Sequence, residues 1–315
     1  MSKNWLEPHS TWEICDASKL QTYMECPRKY FYRYILGWET ETDNVHLVFG
    51  EGWHRAMEHI LLYGKSEKSI KDAFQKFYDY YREHFPDPYT DETRGNKVPA
   101  SALAGLVEYC DYYKADNFEV LETEVAGTVP IDPNNMDKKM HFRIDAVCKD
   151  SSGYFILEHK TASRDSEAWR NQWFLSTQVN LYIHTLFCLY NRNDIWGGKV
   201  NGVVFRKRDR GFVRVPIRKT VEGINNWLIQ TQSWYDAMRR DTEAVLEEDI
   251  DAPAMKAFRM NTQNCIKYNT CKYHDLCSIW ANPLRRAQEG CPMGFRVNWW
   301  NPADREKEAK KVVNL

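Results

Sequence analysis

An α/β fold, with a mixed central sheet flanked by helices, is predicted by three features of this 315-residue chain. Helix-like periodicity fills the first third. Strand-like segments then appear at "FEVLETEVAGTVP", "HFRIDAVCKDSSGYFILEHK" and "VNGVVFRKRDRGFVRVPI". Between the last two lies a long helical run, "DSEAWRNQWFLSTQVNLYIHTLFCLY", read as a crossover. The chain divides into an N-terminal helical region (1–117), a sheet-bearing core (118–219) and a C-terminal helical, cysteine-bearing region (220–315). These are expected to pack as one integrated domain with a substantial core.

Taken in order, "SKLQTYMECPRKYFYRYILGW" opens with Ser18 and Gln21 at capping-box spacing, and Pro27 suits the first turn of a continuing helix. Further helices are predicted through "GEGWHRAMEHILLYG", over 66–85 and over about 102–116. The three-proline segment "FPDPYTDETRGNKVPA" reads as a loop between the last two. Lys and Arg number 43 against 44 Asp and Glu, so bulk charge argues neither for nor against nucleic acid. With no run of about 18 apolar residues, no membrane span is expected. The start "MSKNWLEPHSTW" lacks an apolar signal segment, which predicts a cytoplasmic protein. Nine cysteines in a reducing compartment point to metal ligation or buried thiols. No G-x-x-x-x-G-K-[ST] loop is present, so ATP-driven unwinding is not expected of this chain.

The chemistry concentrates where the apolar run Tyr154–Leu157 meets Glu158, His159 and Lys160. Lys149–Gly153 is a cluster of turn formers, so the flanking strands read as a hairpin. A turn centred between Ser151 and Ser152 sets Asp145 directly opposite Glu158. Side chains alternate with period two, so Arg143, Asp145, Val147, Ile156, Glu158 and Lys160 share one face. Phe142, Ile144, Ala146, Cys148, Phe155 and Leu157 make the other, a core face apart from His159 near its end. Carboxylates facing each other about 5 Å apart repel. A divalent cation such as Mg²⁺ would turn that repulsion into a binding site, with Lys160 beside it. The register carries this reading, because a one-residue slip would separate the pair.

Asp145 followed by Glu158-x-Lys160 resembles the motif of PD-(D/E)XK nucleases. Gly50-x-x-x-His54 resembles an element of their RecB-like branch, and Gln178-x-x-x-Tyr182 its helix motif. Cys26 with Cys265, Cys271 and Cys277 resembles the split cysteine set of iron–sulfur members, among them AddB-type and CRISPR-associated exonucleases. The resemblance runs from about Ser18 to Cys277. It departs from the family at Phe142, where a glycine is common, and in a C-x5-C-x5-C spacing where C-x2-C-x5-C is usual. What it implies is a restriction-endonuclease-like core holding Mg²⁺ or Mn²⁺ on His54, Asp145, Glu158 and the backbone carbonyl of His159. Lys160 would contact the attacking water and the scissile phosphate, and Gln178 and Tyr182 a phosphate or metal-bound water. Glu124, on the strand before the hairpin, stands where the family often has an acid. The four cysteines would hold a 4Fe–4S cluster, with Zn²⁺ as the alternative because four thiolates suit it equally.

Two further readings concern the substrate. Arg206, Lys207, Arg208 and Arg210 form a local basic turn able to track a phosphate backbone. Tyr30, Phe31, Tyr32, Tyr34 and Trp53 offer rings for stacking on unpaired bases, though half of them must be core. The expectation is a metal-dependent deoxyribonuclease, an exonuclease preferring single-stranded DNA ends, with a helicase or recombination partner compatible. The alternative is a catalytically silent nuclease-fold DNA-binding subunit of a recombination or spacer-capture complex.

Overall fold

The computed structural model describes residues 4–267 and 270–304, and the backbone of a strand at 311–314. In chain order the helices are α1 (Ala17–Glu25), α2 (Pro27–Tyr30), α3 (Val45–Tyr63), α4 (Glu67–His84), α5 (Pro99–Tyr112), α6 (Glu167–Asn171), α7 (Thr177–Leu189), α8 (Val221–Ala244), α9 (His274–Ile279) and α10 (Pro283–Ala287). The strands are β1 (Trp38–Thr40), β2 (Glu119–Pro130), β3 (Lys139–Asp150), β4 (Gly153–Ala162), β5 (Ile195–Phe205), β6 (Arg210–Ile217), β7 (Phe295–Val297) and β8 (Lys311–Asn314). The main sheet has the order β6-β5-β4-β3-β2-β8. It is mixed: β4 and β5 run parallel, while β3–β4 and β5–β6 are antiparallel. The expected α/β class is therefore present. Among the described residues no helix is long and apolar enough to cross a membrane.

Two compact units divide the chain. One comprises Asp43–Gly127, Phe142–Ile224 and Lys307–Leu315 and contains α3–α5, α6, α7 and most of the sheet. The β3–β4 turn fixes its register. Asp150 accepts the Ser152 amide at 2.8 Å, and Gly153 has φ +124°, where a Cβ would also collide with the Asp194 carbonyl. Partners then sum to 303, from Asp150↔Gly153 to Ala146↔Leu157, as the turn chemistry predicts. Ala146, Cys148, Phe155 and Leu157 cluster on one face. The opposite face is buried too: Ile156 fills the space above Gly198, where Ile183 of α7 covers it. A βαβ connection covers its strands in this way, so β4 reads as a continuous apolar run. On the other side, α3, α4 and α5 pack Phe49, Trp53, Phe77 and Tyr109 against Val203 and Phe205 of β5.

The long helical run expected between β4 and β5 is broken. Short α6 passes into a 3₁₀ turn at Gln172–Leu175, and α7 starts afresh with Ser176 as its cap. Serine competes for backbone amides through its own hydroxyl, which favours a cap over a mid-helix position.

The other unit comprises Met1–Thr42, Thr128–His141 and Asn225–Glu306. Here Asp16, not Ser18, caps α1, accepting the Lys19 amide at 2.8 Å. Aspartate two residues earlier outcompetes the serine because its carboxylate meets the positive helix end. The helix does not continue through Pro27. Cys26 is extended at φ −163°, and Pro27 opens the separate short helix α2. Proline cannot supply the amide that a continuous helix would need there. Tyr30, Phe31, Tyr32 and Tyr34 are buried in this unit, as Trp53 is in the other, so none is available to stack on bases. Their rings pack on Phe258 and Tyr273 instead.

Candidate active site

Asp145 and Glu158 lie where β3 and β4 cease to pair through their backbones. Beyond Leu157, the His159 amide donates to Asp145 Oδ2 at 2.7 Å. The same oxygen meets His54 Nδ1 of α3 at 2.9 Å. Helix α3 approaches β4 at Gly50, where even a Cβ would reach only van der Waals contact with Thr161. Glycine at i and histidine at i+4 share a helical face, which brings the imidazole over the hairpin. On the other side, Lys160 Nζ donates to Glu158 Oε1 at 2.6 Å and to Gln178 Oε1 at 2.9 Å. Gln178 Nε2 in turn donates to the Tyr182 hydroxyl at 3.0 Å, so the tyrosine orients the amide and the amide holds the lysine. The structure thus brings together His54, Asp145, Glu158, His159, Lys160, Gln178 and Tyr182.

Burial and mutual charge set the electrostatics. Burial, then the charge of Asp145, pushes Glu158 up to about 7. Burial also opposes ionisation of Asp145, but the charge and hydrogen bond of His54 outweigh it and hold this carboxyl below its ordinary range. Conversely, burial works against a charged His54, yet Asp145 raises it to about 9. Lys160 stays cationic because Glu158 and Asp145 outweigh its burial. Glu124 sits one strand over with φ +51°, a strained conformation for a non-glycine residue. Its carboxylate takes the Arg143 guanidinium at 2.6 Å, and burial followed by Asp145 raises it to about 7.

Two features supply the fit to a divalent cation. Glu158 Oε2 is buried without a hydrogen-bond partner, and the donor set of two carboxylates and an imidazole suits Mg²⁺ or Mn²⁺. Among the described residues no three His, Cys, Asp or Glu side chains stand ready at metal-holding spacing. His54 and Lys160 neutralise the carboxylates instead, so a cation held on these side chains would have to displace a proton from His54 and draw Glu158 from Lys160. Metal affinity should therefore rise with pH. Protonated Glu158 and His54 compete until pH passes about 7 and about 9, and calorimetry with Mg²⁺ should show about tenfold or more tightening from pH 6.5 to 8.5. Without metal the sign reverses. His54 has a raised pKa, so its stabilising pair is complete below 6.5 and lost as pH rises through about 9. Raised Glu158 also costs stability once it ionises near 7. The melting temperature in EDTA should fall from pH 6.5 to 9.5, and Mg²⁺ should reverse that fall.

Behind the site lies a polar chain absent from the sequence reading. His159 is buried, and burial lowers its imidazole to about 3, so it is neutral. Its Nδ1 meets the Asn201 amide at 3.2 Å, Asn201 also donates to the Tyr109 hydroxyl at 2.6 Å, and Arg214 donates to Asn201 at 3.1 Å. Arg214 is held by Asp116 at 2.7 and 3.0 Å. The side chain of His159 is thereby locked inward while its amide grips Asp145.

The cysteines sort into neighbours and outsiders. Burial raises Cys265, with the adjacent Cys26 and Cys271 adding to the rise. Cys277 is pushed up to about 11 by burial despite nearby Arg28, and Cys26, Cys271 and Cys265 contribute. The four thiols are thus electrostatic neighbours. Asn261 donates its amide to Cys26 Sγ at 3.3 Å, and Asn261 and Asn264 both bind the Glu25 carbonyl, tying the C-terminal segment to the end of α1. Arg28 is buried beside them with Nη1 unpartnered. A buried cation among thiols suits an anionic tetrathiolate group. Cys291 responds to burial and Glu41 alone, and Cys15 to burial, Asp16, Lys19 and Arg239.

Comparison with known proteins gives one strong result. The family model of the PD-(D/E)XK nuclease superfamily matches residues 17–278. No curated protein matches the chain. A solved structure, "Crystal structure of SSO0001", is 15% identical over 62% of this chain and 77% of its own length, with a TM-score of 0.25. That likeness is too weak to bear on fold or function.

Proposed function

Because the chain belongs to the PD-(D/E)XK nuclease superfamily, we propose that it is a RecB-like deoxyribonuclease that hydrolyses phosphodiester bonds from single-stranded ends. The observation that carries this reading is the pair Asp145 and Glu158 across the β3–β4 hairpin, with Glu158 Oε2 buried and unpartnered. A pure DNA binder needs no such carboxylate. His54, Asp145, Glu158 and the His159 carbonyl would hold Mg²⁺ or Mn²⁺, which when bound supplies Lewis acidity at the scissile phosphate. Lys160, kept cationic and held by Gln178, presents N–H donors to the attacking water and to the developing phosphorane charge. Gln178 and Tyr182 act as its positioning residues. At the four neighbouring thiols, Cys26, Cys265, Cys271 and Cys277, the proposed group is a 4Fe–4S cluster with a structural role, since hydrolysis moves no electrons. Zinc remains the chemical alternative.

End dependence is tested with a linear single strand and its covalently closed circle. The linear form should disappear progressively while the circle persists. Equal rates on both would make the chain an endonuclease.

A further inference from the structure

The polar segment between β4 and α7 ends in a short apolar run, Trp173-Phe174-Leu175, that starts beside Lys160. Trp169 lies over Gly202 of β5, where any Cβ would collide with its ring. Trp173 packs edge-on against Trp169 at 5.5 Å between centroids. Lys160 Nζ stands 5.8 Å from the centre of the Trp173 ring. The next two residues, Phe174 and Leu175, are 40% and 84% exposed. They are not slack: Lys219 binds the Phe174 carbonyl, and Ser176 caps the helix that follows. An anchored, uncovered apolar pair that directly follows Trp173, the ring facing Lys160, is a surface that a ligand can cover.

Charge identifies that ligand. Parallel strands β4 and β5 end on the same side of the sheet, β4 leading into this segment and β5 into the turn holding Arg206, Lys207 and Arg208. All three basic side chains are exposed there. The turn is close: Asp165 is held below its ordinary range first by its hydrogen bond to Arg170, and also by the charge of Arg206. An apolar tip continuous with the site and bordered by cations matches one unpaired DNA strand, whose bases stack and whose phosphates pair.

We propose that Phe174 and Leu175 form a wedge on which the base next to the scissile phosphate stacks, while Arg206, Lys207 and Arg208 engage the phosphates beyond it. The wedge would admit an unpaired end and resist a paired one. This rests on the nuclease reading of the adjacent site.

The test uses the full chain carrying Glu158→Gln and single-stranded oligonucleotides with one 2-aminopurine at successive positions. One position should be quenched on binding. Adding Phe174→Ala with Leu175→Ala should abolish that quench and weaken binding about tenfold, in keeping with the worth of one stacked base. Circular dichroism and melting should be unchanged, and Phe174→Trp should restore the quench. In the wild-type background the double substitution should narrow the rate difference between single-stranded and blunt duplex ends. Unchanged quench and affinity in the double variant would overturn the wedge while leaving the nuclease intact. Quenching by a wild-type chain that cuts nothing would instead support the wedge and remove the nuclease reading.

Discussion

Glu158→Gln is expected to reduce DNA cleavage by about a thousandfold or more while leaving the fold intact. The amide keeps an oxygen for Lys160 at the position of Oε1, so the 2.6 Å contact and the lysine's hold on Gln178 survive. What disappears is the negative charge that a hard cation requires. That charge is costly in the folded chain, because burial and Asp145 raise Glu158 to about 7. In EDTA at pH 8 the variant should therefore melt no lower than wild type, and the stabilisation by Mg²⁺ should vanish. Lys160→Ala should separate from it by losing rate more than metal affinity. Cleavage by Glu158→Gln at the wild-type rate would mean that the carboxylate pair is not the catalytic site.

Cys26→Ser is expected to cost iron, brown colour and thermal stability together. Cys26 lies at the break between α1 and α2 and contacts the Asn261 amide, so it links α1 to the segment holding Cys265, Cys271 and Cys277. Losing a structural metal group removes the binding energy that favours the folded form. Cys291→Ser should keep iron, colour and melting temperature, since Cys291 is raised by burial and Glu41 with no contribution from the four thiols. Cys15→Ser should keep the iron too, although a buried hydroxyl there costs about 1–2 kcal/mol of stability. The comparison is made on anaerobically purified protein, by iron analysis, absorbance and melting. Full iron in Cys26→Ser with loss in Cys291→Ser would place the group entirely in the C-terminal segment.

The site was legible where local rules act alone. Turn chemistry at Ser151–Gly153 sets the register as far as Ala146↔Leu157, so Asp145 and Glu158 follow at the same end of the hairpin although their expected direct pairing is not formed. The i, i+4 rule puts Gln178 and Tyr182 on one face. Aromatic residues were harder, because ring content says nothing of exposure. Tyr30, Phe31, Tyr32 and Tyr34 fill the core, whereas Phe174 is exposed in a segment whose pattern passes for one helix. The break at Cys26 and the cap at Asp16 turn on competition between neighbours for one helix start. Asn201 and Arg214 were out of reach altogether. Their partners Tyr109, Asp116 and His159 lie 92, 98 and 42 residues away in the chain, and only the fold unites them.

One experiment bears most directly on the central claim. End-labelled single-stranded and duplex DNA is incubated with the purified chain in Mg²⁺, Mn²⁺ or EDTA, and the products are separated by length. Cleavage in either metal, absent in EDTA and faster on single-stranded ends, is the predicted result. DNA that is bound yet left intact in both metals would contradict it, and would make the chain a catalytically silent member of its superfamily.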